Sequence, residues 1–186
     1  TPYELALMRK AQAKAVRGHA AAEQAFRAGG SEAQINAAFL AASGHTDLDV
    51  PYNNIVALNE NGATLHYQYK SFNKPAHHRS LLIDAGAEYG GYAADITRTY
   101  GNGFELFEQL IAAVDKEQLA LCAQVKAGLD YRELHLQCHL RLAGVLQGWL
   151  DARILATYES ERAPLGALVA QQAAKWGRDL APLWVR

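Results

Sequence analysis

Two aspartates, Asp84 and Asp95, stand in the stretch LLIDAGAEYGGYAADITRTY (residues 81–100), each inside a short β-rich run, with glycines and tyrosines between them. If the turn centres on Tyr89-Gly90, the strands bring Asp84 directly opposite Asp95, about 5 Å away on one face of a hairpin. Like charges so placed repel, and one carboxylate would have to take up a proton to relieve the conflict. A divalent cation removes it. Oxygen ligands suit hard ions such as Mn²⁺ or Mg²⁺, and paired carboxylates suit a two-metal centre with ions about 3.5–4 Å apart. Aspartates at strand ends also cap turns or form surface ion pairs, and spacing alone leaves both readings open. Asp84 follows the apolar Leu81-Leu82-Ile83 and precedes small residues, a buried setting. Arg98, three residues beyond Asp95, points to the opposite face and cannot neutralise it.

The elements around this hairpin are written in turn and cap signals. Thr1-Pro2-Tyr3-Glu4 reads as a capping box opening an alanine-rich helix that stops at Gly29-Gly30. Ser31, with Gln34 three residues on, opens a second helix that Gly44 closes, so the two should pack as an antiparallel pair. Residues 54–58 read as a strand, Asn59–Gly62 as a turn, and the following residues through His66 and Tyr67 as its returning strand. Lys70–Arg79 is a polar loop in which His77 and His78 face solvent. Strands then run over 81–84 and 93–100, a helix from Phe104 to about Ala127, and another from Asp130, with Glu133 three residues on, to near Gly148.

Composition sets the outer bounds. The chain has 186 residues, half of them hydrophobic, enough for a domain with a core, and a net charge of −1. Nothing in the charge points to nucleic acid or an anionic membrane, and no apolar run approaches the ~20 residues of a membrane span. The first residues show no signal-peptide pattern. Cys122 and Cys138 fall in helical segments and read as free, buried thiols of a cytoplasmic protein.

DAGAEYGGYAADITRTY, preceded by NNIVALNENGATLHY, resembles the catalytic domain of the bacterial Xaa-Pro dipeptidases (prolidases), metallopeptidases of the M24 family and the pita-bread fold. The likeness runs from TPYELALMRKAQAKAVRGHAAAEQAF through LALCAQVKAGLDYRELHLQCHLRLAG. It implies an α+β fold, an antiparallel sheet covered by helices, with residues 1–148 as the first part of the domain. Asp84 and Asp95 would be the first two ligands of a centre holding two Mn²⁺ ions, with Co²⁺ or Zn²⁺ as alternatives. His66 would stand beside the metals and hydrogen-bond the substrate or the developing oxyanion, and Thr97 would support the site from Asp95's face. The implied substrates are dipeptides with a C-terminal proline, and the implied assembly is a homodimer. Similar proteins use the same metal pair on organophosphates.

Two features depart from that pattern. The family completes its site with a later histidine and two later glutamates, yet no histidine follows His139 here, and residues 149–186 match nothing in the family. That segment reads as foreign to the fold, so a non-catalytic scaffold derived from the enzyme stands as the alternative. HLQCH carries His135 and His139 at helical spacing, a second metal pattern. No glutamate follows His135 as in the zinc-peptidase motif, and the two histidines read as packing or surface positions.

Overall fold

A computed structural model describes residues 1–149 of the chain. The chain divides into two compact units, the first Thr1–Ala112 and the second beginning at Ala113.

In the first unit, α1 (Pro2–Arg27) begins on the expected capping box: the Thr1 hydroxyl accepts from the Glu4 amide while the Glu4 side chain reaches back. Ser31 and Gln34 repeat the device at the start of α2 (Glu32–Ser43), which ends on left-handed Gly44. The helices cross closely because Gly18 has no side chain: a Cβ there would sit 2.6 Å from the Phe39 ring. Behind them lies one antiparallel sheet in the order β1 (Ile55–Leu58), β2 (Ser80–Tyr89), β3 (Tyr92–Gly101). Alternation along β2 sends Leu81, Ile83 and Ala85 into a core with Ala22, Phe26, Ile35, Phe39, Val56 and Leu58. Leu82, Asp84 and Gly86 therefore point to the other face, away from α1 and α2.

Four expectations are corrected here. The Asn59–Gly62 turn does not return as a strand. Asn59–Ala63 winds into a 3-10 turn, and His66 follows in left-handed backbone with φ 53°. The β2–β3 turn is Gly90-Gly91, both with positive φ (61° and 84°), rather than Tyr89-Gly90. A two-residue turn with φ > 0 at both central positions suits the right-handed twist of the strands, and glycine adopts it without steric cost. The register moves accordingly: Asp84 pairs with Thr97, and Asp95 with Gly86.

The third correction concerns the helix after Phe104. α3 (Glu105–Cys122) ends earlier than Ala127, in successive i→i+3 turns (Gln124 to Leu121, Val125 to Cys122). In the second unit α4 (Tyr131–Trp149) starts at Asp130, whose carboxylate accepts from the Arg132 amide. Arg141 of α4 pairs with Glu117 of α3. Cys122 and Cys138 are free but exposed, not buried, because no side chain of either helix is buried among the described residues. Beyond Trp149, the reading of residues 149–186 lies outside the described residues.

Candidate metal centre

Asp84 and Asp95 share a face of the sheet but stand diagonally, two positions out of register, rather than directly opposite. Diagonal neighbours on a sheet lie about 7–8 Å apart at Cα, still within reach of a bridging ion or pair of ions. Asp84 occupies the central strand between Ile55 of β1 and Thr97 of β3. Its Oδ1 is buried and has no hydrogen-bond partner. A buried carboxylate oxygen without a donor is costly, since a charge removed from water needs a compensating partner. A cation supplies one, so the donor set fits a hard divalent metal.

Asp95 is exposed and is held by a residue that sequence reasoning missed. The Tyr52 hydroxyl donates to Asp95 Oδ1 at 2.8 Å. Burial, reinforced by the hydrogen bonds to Asp95 and Asp84, holds the Tyr52 phenol well above the ordinary tyrosine range, so it stays a fixed donor. Gly86 makes room for this arrangement: a Cβ there would lie 2.3 Å from the Ala94 carbonyl oxygen and 2.6 Å from Tyr52 Cε1. The only local signal for Tyr52 was the Pro51-Tyr52 pair just before the strand, which reads as an ordinary turn.

His66 lies in the exposed loop after the 3-10 turn and makes no hydrogen bond to either aspartate. The loop itself is tied down. Glu32, 1% exposed at the first turn of α2, accepts four hydrogen bonds of 2.9 Å each. The donors are the Leu58 amide, Asn61 Nδ2, the Tyr67 hydroxyl and the Ser71 amide. The helix N-terminus adds a favourable dipole to this buried charge. Burial, and then the bond to Glu32, push the Tyr67 phenol up to about 12. Glu32 thus fixes the backbone on both sides of His66. No sequence pattern marked it beyond a helix-start carboxylate.

On the opposite face His19 of α1 is buried, with Nε2 3.0 Å from the Ala85 carbonyl, directly behind Asp84. Burial depresses its basicity, so the neutral ring donates to Ala85. His78 is also no solvent-facing residue: its Nε2 meets the Gly30 carbonyl at 2.9 Å. Among the described residues no third histidine, cysteine, aspartate or glutamate joins Asp84 and Asp95 in a ligand cluster.

The model of metallopeptidase family M24 matches residues 6–154. The chain belongs to this family. A relative from Citrobacter koseri, an Xaa-Pro dipeptidase, is 56% identical over 148 residues, covering 79% of this chain and 33% of the relative. A histidine-to-alanine variant of Escherichia coli aminopeptidase P superposes with a TM-score of 0.71 at 26% identity, over 87% of this chain and 38% of that one. The zinc-substituted form of the same enzyme in complex with product gives 0.71 at 25%, over 88% and 39%. The chain thus spans about a third of the length of the relatives it matches by sequence. The M24 pita-bread class agrees with helices α1 and α2 laid over an antiparallel sheet, an α+β arrangement. No helix among the described residues is long and apolar enough to cross a membrane.

Proposed function

We propose that residues 1–148 form the first part of the catalytic domain of an M24 peptidase that hydrolyses Xaa-Pro dipeptides, with Asp84 and Asp95 as two of its metal ligands. The buried, partnerless Oδ1 of Asp84 on the face it shares with Asp95 carries this reading. Mn²⁺ is the ion we assign, because the two side chains offer only hard oxygen donors. A divalent pair bound there would lower the pKa of a water molecule and polarise the scissile carbonyl. The chain's own groups do the positioning. Tyr52 orients Asp95 through its 2.8 Å bond, and Thr97 stands across from Asp84. Glu32 holds the loop that presents His66, whose ring would donate to the carbonyl oxygen as charge develops on it. Exposed free thiols at Cys122 and Cys138 fit a reducing, cytoplasmic setting, and a homodimer belongs to the same proposal.

A chimera tests the reading. Residues 1–148 replace the matching third of the Citrobacter koseri relative, and Mn²⁺-dependent release of proline from an Xaa-Pro dipeptide is measured. Activity is expected, and Asp84→Asn or Asp95→Asn should abolish it. A folded chimera that takes up Mn²⁺ without hydrolysing the dipeptide would contradict the assignment.

A second reading, a metal-binding scaffold without activity, is favoured by one observation: two carboxylates are the whole ligand cluster among the described residues. Full activity of the chimera with none in the chain alone would place the missing ligands in the relative's remaining length.

A further inference from the structure

α4 carries a second arrangement of metal-binding side chains, distinct in chemistry from the aspartate pair. His135 and His139 lie one helical turn apart and are both exposed, so the packing role that their spacing suggests does not apply. Their rings meet edge to face, with centroids 4.5 Å apart and planes at 77°, and their Nε2 atoms converge to 3.1 Å. Two neutral imidazole nitrogens at that distance are satisfied only if one carries the proton and the other accepts it. A metal ion offers a different solution, accepting both lone pairs at once. With metal–imidazole bonds of about 2.0–2.1 Å, a separation of 3.1 Å subtends about 100° at the ion. That angle falls between the octahedral and tetrahedral values. The separation of the two nitrogens is therefore one that a single chelated ion can span.

Its surroundings support the same end. Tyr131, one turn earlier, lies beside His135 with ring centroids 6.4 Å apart and planes at 28°. The nearby Asp130 carboxylate is engaged by Arg132 at 2.6 Å and does not compete for the imidazoles. Both ligands sit on one helix at i and i+4, so the backbone already holds them on one face.

We infer that His135 and His139 form a two-imidazole site for a borderline divalent transition-metal ion of the Ni²⁺, Cu²⁺, Zn²⁺ class, with solvent completing the coordination. Imidazole selects these ions, whereas carboxylate and water suit Mn²⁺ and Mg²⁺. Taken with the reading proposed above for Asp84 and Asp95, this separates two classes of ion: hard ions at the aspartates, borderline ions on α4. Among the described residues no third ligand joins the histidines, so the site is a modest-affinity chelate that clamps one turn of the helix.

Isothermal titration calorimetry of the untagged 186-residue chain with Ni²⁺ alone tests this, with Mn²⁺ alone run in parallel. Loss of an outer-shell partner already costs metal affinity about 10- to 100-fold, so His135→Ala and His139→Ala should each weaken Ni²⁺ by about tenfold or more. Both positions are exposed, and an unchanged circular dichroism spectrum excludes unfolding as the cause. The Asp84→Asn/Asp95→Asn double variant should bind Ni²⁺ as the parent does, and the histidine variants should leave Mn²⁺ binding untouched. Ni²⁺ binding that ignores both histidine substitutions, or that disappears in the aspartate double variant, would overturn the proposal. So would the absence of any Ni²⁺ binding by the parent chain.

Discussion

Glu32 and Asp84 are both acidic side chains set into the same helix-on-sheet unit, and the protein treats them oppositely. Glu32 is fully buried and saturated, with two donors on each oxygen. Asp84 buries an oxygen and gives it nothing. A carboxylate that the fold satisfies by itself is a structural anchor. One placed beside a second carboxylate and left with an unpartnered buried oxygen is the one we propose as a metal ligand. Burial of a carboxylate oxygen does not separate the two roles, because both residues show it, although Asp84 as a whole is only half-buried. The donor inventory does.

Substitutions at and around the two residues put this difference to the test. The largest effect is expected at Glu32. Glu32→Ala orphans four donors at once and should cost about 3–5 kcal/mol, measured by urea denaturation. Protection of amides 58–71 against hydrogen exchange should fall with it. Glu32→Gln should be intermediate, since its amide group turns a donor toward donors. Next comes Gly86→Ala. Its Cβ would collide with the Ala94 carbonyl and Tyr52, costing about 1–3 kcal/mol of overpacking and releasing the Tyr52–Asp95 bond.

A smaller effect follows from His19, the neutral ring behind Asp84. Its folded-state pKa lies below the ordinary value of 6.5. The stability it contributes is present above that pH and is lost as pH falls through the depressed folded value, because the unfolded chain protonates first. Thermal melts should show a decline below about pH 6.5 that His19→Phe flattens. The smallest change is expected at Asp84 itself. Without metal, Asp84→Asn removes a charge whose buried Oδ1 has no donor, and stability should shift by less than about 1 kcal/mol or rise. Added Mn²⁺ should raise the melting temperature of the parent chain and leave the variant's unchanged. A large loss for metal-free Asp84→Asn would erase the distinction from Glu32.

Local chemistry was legible in the sequence wherever a local rule decides the structure. Thr1 with Glu4, and Ser31 with Gln34, specified two helix starts through bonds that span three residues. The aspartates' shared face followed from strand periodicity. Their register did not, because it turned on which pair of residues took positive φ, and Gly90-Gly91 outcompeted Tyr89-Gly90. The segment 59–67 was misread for a tertiary reason. Asn61 and Tyr67 spend their hydrogen bonds on Glu32, some thirty residues earlier in the chain, so the segment folds around a buried carboxylate instead of pairing as a hairpin. Tyr52 and Glu32 escaped notice alike, since their roles lie in contacts across long sequence separations. The cysteines read as buried thiols from their helical setting, yet the described structure leaves them exposed, and of the two readings open for the α4 histidines it favours the surface one.

The central claim, that Asp84 and Asp95 form a metal-binding pair, is tested most directly by paramagnetic broadening of backbone amide resonances on adding Mn²⁺ to the chain. Broadening centred on residues 84–86 and 95–97, abolished by Asp84→Asn, is the predicted result. Broadening that survives Asp84→Asn, or that centres on the loop around Glu32, would contradict it.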